Sequence, residues 1–175
     1  MSAAQPPPWD FPAPHVVTLE VLPADIDAYD HVNNSIYLAW FDRAAWSHSA
    51  TLGITLEQCV KTLRRGMAAH RTEIDYLRAA VLGDRVLVGT WIAGTDSKLR
   101  VQRRFQVRRA ADGETLVQAR TDYVCINLDS GRAARMPDVF QRAYIVTQPV
   151  PAGHPLASRS VGGTDGPAHP AITPK

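Results

Sequence analysis

Only two of the 175 residues are cysteine, Cys59 and Cys125, too few for a disulfide framework and in keeping with a reduced cytoplasm. No apolar run approaches the roughly 20 residues that cross a bilayer, so no membrane span is expected. Met1 to Pro8 hold neither a basic region nor an apolar stretch, and so do not read as a secretory signal. There is no glycine-rich phosphate loop, no Gly-x-Ser-x-Gly and no Cys–His pairing for covalent serine or cysteine chemistry. His48 and His70 have no companion at metal-ligand spacing, so neither a metal nor a cofactor is expected. Charge excess is also small. Nineteen basic against 17 acidic side chains leave a net +2, which argues against a general nucleic-acid binder.

Proline is scarce in one region only. Five of the 13 prolines lie in residues 1–14 and six in 149–175, with only Pro23 and Pro137 between. This divides the chain into a proline-rich, disordered-looking tail (1–14), one domain (15–147) and a Pro/Gly-rich, disordered-looking tail (148–175). A body of that size can bury a core without disulfides.

Within the body, residues 16–22 alternate and are β-branched, which predicts a strand ending at Pro23. A helix is expected from Asn33 or Asn34 to Leu52, with Asn33, Asn34 and Ser35 as candidate caps and Gly53 as terminator. Ile36 to Phe41, then Ala44 to Trp46, make it apolar nearly all round, so burial on most sides is expected. A shorter amphipathic piece (55–64) precedes four strand-like runs, 67–77, 85–93, 98–109 and 115–128, with Gly83-Asp84, Gly94-Thr95-Asp96 and Asp112-Gly113 as hairpin-type turns. A short helix begins at Pro137. One buried helix wrapped by an antiparallel sheet is an α+β layer arrangement.

In the third run Leu99, Val101, Phe105 and Val107 point one way, and Arg100, Gln102, Arg104, Gln106 and Arg108 the other. Arg100, Arg103, Arg104, Arg108 and Arg109 form either a solvated strand face or a site for a phosphate-bearing ligand, since the guanidinium fork matches phosphate geometry. Glu73 and Asp75 share a strand face with Arg71, and exposed alternation accounts for them.

The chemistry concentrates in Asp25-Ile26-Asp27-Ala28-Tyr29-Asp30-His31-Val32-Asn33-Asn34, an acidic loop leading into the long helix. A helix N-terminus offers unpaired N–H groups and the positive end of a dipole, which suit an anion or a carbonyl gaining negative charge. A carboxylate beside it can attack that carbonyl or activate a water. From residue types alone, Asp25, Asp27 and Asp30 read more often as caps and turn formers than as catalysts.

The segment resembles the hotdog-fold acyl thioesterases of the 4-hydroxybenzoyl-CoA thioesterase-like group. Their pattern Asp-x-Asp-x-x-Gly-His-Val-Asn-Asn-x-x-Tyr-Leu-x-Trp is matched by Asp25, Asp27, His31, Val32, Asn33, Asn34, Tyr37, Leu38 and Trp40. Weaker similarity covers Glu73 to Arg78 with Gly83-Asp84, Ala119 to Asn127, and Gly131 to Pro137, so the resemblance spans roughly 15–145. It implies a hotdog fold, a long central helix in a curved antiparallel sheet. It also implies hydrolysis of an acyl-CoA or acyl-ACP, with Asp27 as nucleophile or general base. Backbone N–H groups within His31, Val32, Asn33 and Asn34 would polarise the thioester carbonyl, and His31 itself contributes in some members. Tyr29 stands where the members that use the His also carry a contributing Asn, and Asp30 departs from the pattern. Asp30 replaces a glycine, a change a left-handed turn tolerates in Asp better than in most residues. The resemblance further implies an acyl pocket shaped by Tyr37, Trp40 and Phe41, CoA phosphates met by Arg100 and Arg104, and a homodimer or a dimer of dimers. The rival expectation is a non-catalytic hotdog module that binds acyl-CoA or acyl-ACP.

Overall fold

Residues 9–147 are described by the structure, a computed structural model. Five strands, β1 (His15–Glu20), β2 (Arg65–Tyr76), β3 (Arg85–Thr95), β4 (Arg100–Arg109) and β5 (Thr115–Asn127), build one antiparallel sheet in the order β1-β3-β4-β5-β2. Helix α1 (Asn34–Thr51) lies across it, and the short α2 (Asp138–Ala143) closes one end. This is the hotdog arrangement expected from the sequence. Among the described residues no helix is long and apolar enough to cross a membrane.

Strand positions agree closely with the alternation, but one connection does not. β2 pairs with β5 at the far edge and not with β3, so Gly83-Asp84 is not the turn of a β2–β3 hairpin. Turn residues report only a local reversal. The partner of β2 is set by long-range pairing, from Arg65 opposite Asn127 to Tyr76 opposite Val117.

α1 starts where the caps place it. Asn33 Oδ1 accepts from the Ser35 backbone N–H at 2.9 Å, and Gly53, at φ +82°, follows the last turn. Its sheet-facing side carries Tyr37, Phe41, Ala44 and His48, with Phe41 stacked on Phe105 of β4 at 4.7 Å. The expected burial on most sides is not found. Leu38, Asp42 and Trp46 lie on an open face, because a single sheet covers only one side of the helix.

β4 also corrects the simple alternation. Arg103 shares the helix-facing side with Val101, Phe105 and Val107, and is 3% exposed. On the opposite face Gln102, Arg104, Gln106 and Arg108 are buried as well, which excludes a solvated strand face for all but Arg100. Much of their cover comes from residues assigned by sequence to the N-terminal tail. Trp9 packs on Gly89 and over the Arg108 guanidinium, and Phe11 meets Trp91 edge-on. The Asp10 N–H donates to Gln106 Oε1, its carboxylate accepts from Gln118, and Trp91 Nε1 donates to the Pro12 carbonyl. Aromatic area explains why this stretch is held despite its prolines, since each such ring removes some 150–250 Å² from water. The C-terminal tail expected from 148 lies outside the described residues.

Candidate active site

The loop before α1 is pinned by its own backbone. Pro23–Asp25 forms a 3-10 turn in which the Leu22 N–H donates to Asp25 Oδ2 at 2.9 Å. The Asp27 N–H then donates to the His31 carbonyl and the Asn33 N–H to the Asp25 carbonyl, both at 2.8 Å, while Ile26 and Val32 bridge. Asp30 stands at the corner with φ +59°, the left-handed conformation that glycine takes at no steric cost and that Asp accepts. The departure from the glycine pattern therefore leaves the turn intact.

These bonds sort the aspartates. Asp25 is occupied as a cap. The half-buried Asp27 accepts the Tyr29 N–H on Oδ1 at 2.8 Å, a single bond that orients the carboxylate and leaves Oδ2 to the cleft it lines. That cleft measures about 530 Å³, within the size range of small-molecule sites. Asp27, His31, Val32, Asn34 and Tyr37 all line it.

The backbone donors are likewise sorted. The Val32 N–H is spent on the Ala80 carbonyl at 2.9 Å and the Asn33 N–H on Asp25. His31 and Asn34 retain amide N–H groups with no acceptor among the described residues. Asn33 does not line the cleft; its side chain holds Ser35. Within His31 to Asn34, the stretch expected to hold the donors, two N–H groups thus remain open among the described residues.

Of the three aromatic side chains expected to shape an acyl pocket, Tyr37, Trp40 and Phe41, only Tyr37 lines the cleft. Its hydroxyl accepts the Ala80 N–H at 3.3 Å, and burial raises its pKa above the ordinary phenol value. Trp40 and Phe41 lie in the core, Trp40 edge-on to Tyr37 and Phe41 against Phe105. The arginines expected at the CoA phosphates are elsewhere too. Arg100 is exposed at the start of β4, and Arg104, 2% exposed, is buried on the far face of the sheet; neither lines the cleft.

The other wall comes from Tyr76, Leu77, Arg78 and Ala79, which sequence reasoning did not single out. β2 ends here because the Leu77 and Arg78 N–H groups both donate to the Leu116 carbonyl, and the chain then turns toward α1. The Tyr76 hydroxyl donates to the Asn34 carbonyl at 3.1 Å, joining the wall to the helix start. Arg78, tethered to Glu114 at 3.3 Å, is the arginine of this cleft. The Tyr76-Leu77-Arg78 run at a strand end was its only sequence signal. Among the described residues no group of His, Cys, Asp and Glu is placed to hold a metal.

Comparison with known proteins places this geometry in context. Residues 21–144 match the family model of the thioesterase-like superfamily. The zebrafish (Danio rerio) Protein THEM6 is 32% identical over 102 residues, 58% of this chain and 50% of that protein, so the chain spans about half the length of this curated relative. Among solved structures, Slr0204 of Synechocystis, a 1,4-dihydroxy-2-naphthoyl-CoA thioesterase, superposes with a TM-score of 0.68 at 23% identity, over 75% of this chain and 96% of that one. SAV2348 of Staphylococcus aureus, solved in complex with CoA, gives 0.72 at 21% identity over 87% and 96%. The fold is shared with both. The family match runs from the end of β1 to the end of α2, across the whole Asp27 loop, and on that ground the chain belongs to the thioesterase-like superfamily.

Proposed function

We propose that the protein hydrolyses acyl thioesters, with acyl-CoA the favoured substrate and acyl-ACP the alternative carrier. The observation that carries this reading is Asp27. Its carboxylate is oriented by one backbone N–H, lines a cleft of substrate size, and shares that cleft with the start of α1. In the reaction a thioester carbonyl enters beside Asp27 and its oxygen gains negative charge under attack. The amide N–H groups of His31 and Asn34 and the positive end of the helix dipole stabilise that oxygen. Asp27 acts in one of two ways. Either Oδ2 attacks the carbonyl carbon, expelling the thiolate to leave an anhydride that water opens, or it takes a proton from a water that attacks directly. Arg78 at the cleft supplies the positive charge for a phosphate of the carrier. The CoA named with a structurally similar protein supports that choice of carrier. Self-association through β2, whose outer edge has no strand partner among the described residues, belongs to the same proposal, as does a cytoplasmic location.

The test is release of free thiol from a panel of acyl-CoAs and acyl-ACPs by wild type and Asp27→Asn. The expected result is a loss of about 10³-fold in kcat/KM in the variant, the scale of removing a group that acts in the transition state. Equal turnover by the two proteins would remove Asp27 from the mechanism. No turnover of any thioester by wild type, with acyl-CoA still bound, would make this a binding module.

A further inference from the structure

A second cavity, separate from the Asp27 cleft, lies between the C-terminal half of α1, the sheet and α2. It measures about 50 Å³. One water needs roughly 10–15 Å³ by the same measure, so the space suits a group of a few heavy atoms. Met67 and Phe140 give it apolar walls, and Arg103, Ser49, Tyr123 and Tyr144 supply the polar ones.

Arg103 is the unusual member. It sits on the apolar face of β4, and a guanidinium taken out of water costs several kcal/mol unless compensated. Arginine cannot shed the charge. Among the described residues no carboxylate lies within ion-pair distance of it. Its N–H groups instead donate to neutral acceptors, His48 Nδ1 and Ser49 Oγ, each at 3.0 Å, and it lies 5.5 Å over the Tyr144 ring. The Tyr144 hydroxyl is itself 3.1 Å from Ser49 Oγ. A permanent buried cation, two tyrosines and a serine therefore line a small cavity, and no carboxylate among the described residues pairs with the cation. Asp42 on the rim is too far to pair, and its charge opposes an incoming anion.

We infer that this cavity is a binding site for a short carboxylate, held by the Arg103 guanidinium with the Tyr123 and Tyr144 hydroxyls. The carboxylate is that of a free organic acid, and its binding is independent of the thioesterase reading.

The experiment is thermal unfolding of the full chain with sodium propionate at constant ionic strength, with propionamide as the uncharged analogue. Propionate is expected to raise Tm saturably and propionamide not to. Arg103→Met, a replacement that buried charges often tolerate, is expected to abolish the response, and Asp42→Asn to tighten it. Should Arg103→Met fail to fold, Ser49→Ala, expected to weaken the response, carries the same comparison. An equal shift with propionamide, or an undiminished shift in the folded variant, would overturn the inference.

Discussion

Acidification should destabilise this protein chiefly through one imidazole. His48 lies on the sheet-facing side of α1 with its ring stacked on His15 at 5.0 Å, and its Nδ1 accepts an Arg103 N–H, so the neutral form is the one that fits. Burial first, then the Arg103 charge and His15, lower its pKa to about 4. In the unfolded chain the same group titrates near 6.5. The folded value is the lower one, so the unfolded chain takes up the proton first as pH falls. The stabilisation is therefore complete above about pH 6.5 and is lost between there and pH 4. Linkage puts the loss between pH 7 and pH 5 at about 2 kcal/mol, and partial solvent access to the ring reduces it to about 1–2 kcal/mol. His15, lowered by burial and by the same Arg103, adds in the same direction. The assay is urea unfolding at both pH values for wild type and His48→Gln, whose amide oxygen can accept the guanidinium N–H without titrating. Wild type should lose about 1–2 kcal/mol more than the variant. Equal losses in the two proteins would refute the reasoning, since every other titrating group is common to both.

Further expectations follow from single contacts. Asp30→Gly should hold or raise stability by up to about 1 kcal/mol, whereas Asp30→Val should lower it, because only the latter is strained at φ +59°; equilibrium unfolding checks both. Phe11→Ala should cost about 3 kcal/mol by the same measurement, a value typical of a buried aromatic and absent from a disordered tail. Arg78→Glu should raise KM for CoA esters about tenfold yet leave KM unchanged for a thioester of N-acetylcysteamine, which has no phosphates.

Local signals read well where the physics is local. Asn33 ahead of an apolar run and Gly53 after it bound α1, because capping groups act within a turn or two of the helix they end. The aspartate loop stood out in the sequence as a candidate site, and Asp27, His31, Val32, Asn34 and Tyr37 do meet around one cleft. Illegible was whatever depends on which segments meet. Strand alternation gives a residue's side but not what covers that side, so Arg104 and Arg108 read as a solvated face or a phosphate site while Trp9 and Phe11 were assigned to a tail. Arg103 obeys the alternation. Its charge hid the fact, since a cation on an apolar face contradicts the usual pattern. The wall formed by Tyr76 to Ala79 arises from the β2–β5 pairing, which joins residues some 40 positions apart and leaves no local trace.

The strap of Trp9 to Pro12 also sets an order in time. Its seat consists of Gly89 on β3, Gln106 and Arg108 on β4, and Gln118 on β5, so it exists only once those three strands are paired. At Gly89 even a methyl group would stand 2.7 Å from the Trp9 ring, so the seat also requires that one residue stay without a side chain. The strap leaves the ribosome before those strands and is therefore among the last segments to find its place. Until it does, the sheet presents an uncovered row of arginines and glutamines to its surroundings.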